Sequence, residues 1–307
     1  MRILALLLNS PIIAFLALLT AIFWMVRDEK DKVRPLLVIA LTLNLVFGAL
    51  ITIGMARENS LFPMKYDFIL FGLDKALGIS SASVALHLRA PLKLPLEVIY
   101  QLMVPMMIVW ILVTGYSTKR GSVVLAYVAE LVIGPMIYAI VPACGPAYAF
   151  QAKWLHPPDV EPHAIHLIGM PNAFPSLHLA TALVLLLFAR GGAWRTIALV
   201  FLAGTAMATI STGEHYAIDL VAGLAFGCFA AAVGRLQFKR ALAYLGVVLL
   251  WSLMVRFEYR ILIAHPELLQ GLAILTILLA MATVFDQWRT RAPADVPESD
   301  QNLTAVQ

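Results

Sequence analysis

Phe174-Pro175-Ser176-Leu177-His178 and Thr212-Gly213-Glu214-His215-Tyr216-Ala217-Ile218-Asp219 lie about forty residues apart, each at the head of an apolar segment. In the second stretch His215 and Asp219 are four positions apart. On a helix that spacing puts the carboxylate one turn from the imidazole, on the same face, where it can orient and charge-stabilise the ring. An imidazole so held keeps one nitrogen free and raised in basicity, as a nucleophile or proton carrier needs. The first stretch adds a second imidazole. Pro175 ends a loop, Ser176 suits an N-cap, and His178 falls in the first turn of the helix that follows. Such a helix start also offers free N–H groups to an anion. Singly, a helix-end histidine is ordinarily a solvated or packing residue, and a His/Asp pair is as often local as catalytic. Inside an apolar segment the balance shifts, because ionisable groups there are costly and point to function.

The surrounding composition puts both stretches in a membrane. Hydrophobic residues make up 61% of the 307, charged residues 13%, and mean hydropathy is +0.87; many apolar runs are long enough to cross a bilayer. The expected fold is an all-α polytopic membrane helix bundle with about nine apolar spans and some interfacial helices. A net charge of +4 spread over loops implies no nucleic-acid partner. Cys144 in a loop and Cys228 in a span make a disulfide improbable.

In chain order, spans are expected at 3–26, 35–55, 95–116, 122–142, 177–190, 196–212, 214–235, 241–255 and 268–286. The opening apolar run reads as a retained first span rather than a cleaved leader. Residues 56–94 mix charge and apolar residues at helical spacing and read as short interfacial helices, either a rim for a lipid or a plain linker. Glu130 sits alone inside a span, either protonated and packed or paired within the bundle. The Pro- and Gly-rich loop 143–175 carries His156, His163 and His166 at a spacing that matches no standard metal pattern, so no metal and no cofactor is expected. That loop leads into His178 and is expected to fold over the site. Gly223, Gly227, Ala230 and Gly234 form a small-residue face for close packing. The polar tail from 287 reads as disordered. The organisation is thus N-terminal spans 1–56, a catalytic membrane domain 57–236, C-terminal spans 237–286 and a tail 287–307.

Pro175-Ser176-Leu177-His178 resembles the Pro-Ser-Gly-His motif of the type 2 phosphatidic acid phosphatase (PAP2) superfamily, and His215 with Asp219 resembles the His-x-x-x-Asp end of its last motif. Leu177 in place of Gly, with the Thr-Gly-x-His-Tyr-x-x-Asp context, is similar to the inositol phosphorylceramide synthase branch. Weaker similarities are Tyr66-Asp67, Leu73-Asp74, Leu77-Gly78 and Val141-Pro142-Ala143-Cys144-Gly145-Pro146, so the likeness runs from about residue 60 to 235. It implies that His215 is the nucleophile, Asp219 its orienting partner and His178 the general acid. The phosphatases' Lys-x6-Arg-Pro motif is missing, and Thr209 stands where they carry an Arg six residues before the nucleophile. A dianionic monoester wants such cations and a singly charged diester wants fewer. The expected substrate is therefore a phosphodiester lipid, unless Arg89 or Lys93 supplies the missing charge.

The expectation is a lipid phosphotransferase that moves a headgroup phosphate to a lipid hydroxyl through a phosphohistidine. Its alternatives are a PAP2-type lipid phosphate phosphatase and, more remotely, a non-enzymatic lipid transporter. Substrate contacts are expected from Ser176, Thr212, Tyr216, Arg89 and Lys93. The two histidine loops fall on one side and hold one basic residue, Lys153, while the larger share of the 22 Lys and Arg lies opposite. The positive-inside rule then puts the active site on the non-cytoplasmic face.

Overall fold

The computed structural model describes residues 61–114 and 122–289. The spans expected at 3–26 and 35–55, the end of the one at 95–116, and the tail beyond 289 lie outside the described residues. Within them the chain is a helix bundle. The first elements are β1 (Met64–Lys65), α1 (Asp67–Ala76), α2 (Ser81–Gln101), α3 (Met103–Thr114) and α4 (Val123–Ile140). Next come α5 (Pro146–Phe150), a short 3-10 turn (Gln151–Lys153) and β2 (Ile165–His166). The chain then continues through α6 (Leu177–Phe188), α7 (Gly191–Thr212), α8 (Ala217–Gly234), α9 (Phe238–Phe257), α10 (Tyr259–Ala264) and α11 (Pro266–Arg289). The two strands pair antiparallel, Met64 with His166 and Lys65 with Ile165. Five of these helices, α4, α7, α8, α9 and α11, are long and apolar enough to cross a membrane. A sixth crossing results if α1 and α2, which meet at 86°, count as one broken span.

The α8 helix is the axis of the bundle, packed by α6, α9, α4 and α11. Its glycines make that possible. A Cβ on Gly223 would lie 2.7 Å from the Ser176 carbonyl oxygen, and one on Gly227 2.7 Å from that of Ala180. The small-residue face read from the sequence therefore lets the α6 backbone lie directly against α8. One apolar cluster, with Trp110, Ile111, Leu183 and Phe226 fully buried, fills the space among α3, α4, α6 and α8. A second, built on Leu70, Phe174, Tyr216 and Leu262, closes the end where the histidine loops lie.

The region read as interfacial pieces is instead dominated by α2, a helix of 21 residues that swallows the start of the expected span 95–116. Ser80 caps it by accepting from the Ser83 N–H at 3.2 Å. Pro91 and Pro95 lie inside it and forfeit two helical hydrogen bonds. Close packing on α7 compensates: Gly204 is so near Ile99 that a Cβ there would meet Ile99 Cδ1 at 2.8 Å. The break comes later, at Leu102, before α3. α7 begins at Gly191 rather than 196, and α8 begins at Ala217 rather than 214.

Candidate active site

The site grows from three helix ends. Ser176 caps α6: its Oγ accepts from the Leu179 N–H at 3.3 Å, and its own N–H donates to the Asp219 carbonyl at 3.0 Å. This cap is the one read from the sequence, and it brings the first turn of α6 to the first turn of α8. His178 follows, its ring stacked on Tyr100 of α2 at 4.3 Å between centroids and 21°. α7 ends at Gly213, whose φ of +77° is the left-handed conformation that glycine adopts without strain. After it Glu214, His215 and Tyr216 cross to α8, with the His215 N–H donating to the Thr209 carbonyl at 3.3 Å. The His178 and His215 rings come to 5.9 Å between centroids, at 66°.

His215 thus stands ahead of α8, not on it. Its Nδ1 is 2.8 Å from the Ala173 carbonyl oxygen, and a carbonyl only accepts, so Nδ1 carries the proton and Nε2 of the neutral ring has a free lone pair. The Asp219 Oδ2 is 3.5 Å from the same Nδ1 and accepts the Tyr216 N–H at 2.8 Å. Ala173 is thus the ring's hydrogen-bond partner, and the Asp219 carboxylate stands beside it as a charge that would pair with the ring only if the ring were protonated. Burial, the largest influence, pushes His215 down to about 4, against the opposing pull of Glu214 and the Ala173 contact. The sequence reading expected raised basicity; the buried setting instead keeps the ring neutral and its lone pair available at neutral pH. Burial also raises Glu214, which His215 partly offsets.

Two further buried carboxylates hold this loop. Asp74 of α1 accepts the Ala217 N–H at 2.9 Å, the Ile218 N–H at 3.0 Å and the Ser81 hydroxyl. It caps α8 from outside the helix, satisfying N–H groups that have no partner within it. Asp67 accepts from the Gly145 N–H at 2.8 Å, the Cys144 N–H at 3.1 Å and the Tyr216 hydroxyl at 3.2 Å. At Gly145, φ is +95° and a Cβ would lie 2.3 Å from the Glu214 carbonyl oxygen, so only glycine lets the 143–147 segment lie on the histidine loop. The Ala147 N–H donates to the Gly213 carbonyl at 2.8 Å. The two ends of the loop from 143 thus pack on the histidine loop, while His156, His163 and His166 are exposed along its length.

The expected substrate contacts divide. Ser176 is spent on its cap, Tyr216 is buried against Asp67, and Thr212 Oγ1 donates back to the Ala208 carbonyl at 3.0 Å. Arg89 reaches the Ser211 carbonyl at 2.9 Å, four residues ahead of His215, and lies over the Trp154 ring. Lys93 faces outward toward Glu97. Sequence reasoning missed the Ala173 carbonyl, the Tyr100 stack and the roles of Asp67 and Asp74. The two aspartates did carry a signal: they stand seven residues apart, on one helix face, in an apolar run.

A sequence model of the PAP2 superfamily matches residues 69–233, more than half of the chain. The chain belongs to the PAP2 superfamily. Members are phosphatases or phosphotransferases, and this chain is an enzyme of that type. The PAP2 match runs from α1 to the end of α8 and so contains every side chain that converges here, Asp67 excepted. No curated protein and no solved structure gives a significant match.

Proposed function

We propose that this PAP2 enzyme is a lipid phosphotransferase acting on a phosphodiester lipid. The observation that carries the proposal is the facing pair of imidazoles, with Nε2 of His215 left unprotonated by the Nδ1 bond to Ala173. Nε2 attacks phosphorus in line, forming a P–N bond as the P–O bond to the lipid alcohol breaks. His178, charged once the anionic phosphodiester lies against it, gives the departing oxygen a proton. Neutral His178 then takes the proton from an acceptor hydroxyl as that oxygen attacks phosphorus, the P–N bond breaks, and His215 is regenerated. Such proton transfers typically contribute ~10²- to 10⁴-fold each. Asp219 offsets charge that develops on His215, and Arg89 stands on the site side of α2 as a cation near the loop.

The absent Lys-x6-Arg-Pro motif and Thr209 favour a diester, because Arg89, the guanidinium bonded just ahead of His215 among the described residues, matches one negative charge better than two. Leu177 and the Thr-Gly-x-His-Tyr-x-x-Asp context favour the inositol phosphorylceramide synthase-like branch. The Lys and Arg distribution over nine spans favours a non-cytoplasmic active site. The test is headgroup transfer in vesicles, with labelled phosphatidylinositol as donor and ceramide, diacylglycerol or water as acceptor. Transfer to a lipid that disappears in His215→Ala supports the reading. Phosphate release from monoester lipids alone would make the enzyme a phosphatase and refute the diester assignment.

A further inference from the structure

A cavity of about 120 Å³ opens beside His178, between α3, α4 and α6. It is many times the ~15 Å³ that one water needs. Met103, Met107, Leu131 and Leu177 form its apolar wall, and half-exposed Val104 stands at its outer edge. Tyr127, Thr181 and Glu130 add polar groups to the wall, and Glu130 suits it least. Glu130 is 1% exposed; its Oε2 accepts the Thr181 hydroxyl at 2.8 Å, and its Oε1 has no hydrogen-bond partner among the described residues. A buried carboxyl oxygen left unbonded in a membrane helix is costly, and is best explained by a partner that comes and goes. Thr181 fixes the direction of the carboxyl. Thr181 follows His178 by three residues, so the two side chains share one face of α6, and the carboxyl that Thr181 holds lines the same cavity as the imidazole.

We propose that this cavity is the subsite for the lipid alcohol, and that Glu130 accepts a hydrogen bond from a second O–H or N–H donor two or three bonds from the reacting hydroxyl. The reacting oxygen sits at His178, the second donor meets Glu130 Oε1, and the carbon chain leaves past Val104 toward the bilayer. Glu130 is then a specificity-determining residue. Alcohols with a neighbouring amide or hydroxyl satisfy it, and alcohols whose neighbouring group is an ester leave it unbonded. The role assigned to the reacting hydroxyl rests on the proposed transferase reading, whereas occupancy of the cavity does not.

Photo-crosslinking separates the two. The probes are an N-acyl amino alcohol and a diacylglycerol carrying the same diazirine chain, each added to the full-length protein in vesicles without donor, so that labelling needs no turnover. The expected result is labelling of the peptides containing Met103–Met107 and Tyr127–Leu131, at least tenfold stronger with the amino-alcohol probe. Glu130→Leu should abolish that preference, and Glu130→Gln, which keeps a carbonyl acceptor, should retain it. Val104→Trp, which blocks the edge without touching Glu130, should lower labelling by both probes at least tenfold, and it decides the matter if Glu130→Leu does not fold. Equal labelling by the two probes, a preference that survives Glu130→Leu, or label placed elsewhere would overturn the subsite and leave Glu130 bonded to water. Failure of headgroup transfer alongside the expected labelling would overturn the transferase and not the subsite.

Discussion

The Ala173 carbonyl lies 42 residues before His215 in sequence and 2.8 Å from its Nδ1 in space, and a carbonyl can only accept. That contact fixes which nitrogen carries the proton and which the free lone pair, and no local pattern announces it. The His/Asp spacing was readable; the carbonyl that bonds the ring was not, because it depends on how the 143–175 loop returns. Burial holds His215 at about 4 against an ordinary 6.5. Between those values the unfolded chain binds a proton that the folded chain does not, so stability should fall as pH drops from 6.5 toward 4 and change no further below. The shift corresponds to about 3 kcal/mol at most. Denaturant unfolding in detergent at pH 7 and pH 5 should show a smaller loss for His215→Gln than for the natural protein; equal losses would contradict the burial argument. His178→Asn should slow transfer by ~10²- to 10⁴-fold in the vesicle assay, with no more than about 1 kcal/mol of stability lost with the Tyr100 stack by denaturant unfolding.

Three carboxylates converge on the start of α8, two of them from α1, Asp67 through the Tyr216 hydroxyl. Asp74→Asn keeps the size but turns one strong acceptor into an amide beside two N–H donors. It should cost about 1–3 kcal/mol and reduce transfer by displacing His215; unchanged unfolding would show that α8 holds its start without α1. The α6–α8 contact is equally specific. A Cβ on Gly223 would meet the Ser176 carbonyl at 2.7 Å, so Gly223→Ala must push the cap of α6 outward. An overpacking loss of about 1–3 kcal/mol with a lower turnover rate is expected, read from unfolding and vesicle transfer together. These elements were unevenly legible. The glycine face, the Ser176 cap and the Gly213 stop follow from local rules, because each is decided within a few residues. α2 was misread because its prolines and charges break the apolar pattern, and packing on α7 sustains the helix through them.

Across the whole molecule, the mean hydropathy and the two histidine motifs were enough to announce a helical membrane enzyme, and five described helices are long and apolar enough to cross. Their arrangement was not legible, since apolar helices of similar composition do not encode which neighbours they choose. The central placement of α8 emerges only from its glycines meeting α6 and α4. That placement joins the start of α6, the end of α7 and the start of α8 at one end of the bundle, and so brings His178 to His215. If the positive-inside reading holds, cysteines introduced singly at Lys153 and Asp159, exposed in the loop from 143, should react with an impermeant maleimide from the non-cytoplasmic side of intact cells. Labelling only after permeabilisation would reverse the orientation. The most direct test of the account is chemical. Purified enzyme mixed with a phosphodiester lipid labelled in its phosphate, without acceptor, and quenched in alkali should carry label on His215 by peptide mass spectrometry; adding a lipid alcohol should discharge it, and His215→Ala should carry none. Label on another residue, or lipid transfer with no labelled protein at any time, would contradict the proposed histidine chemistry.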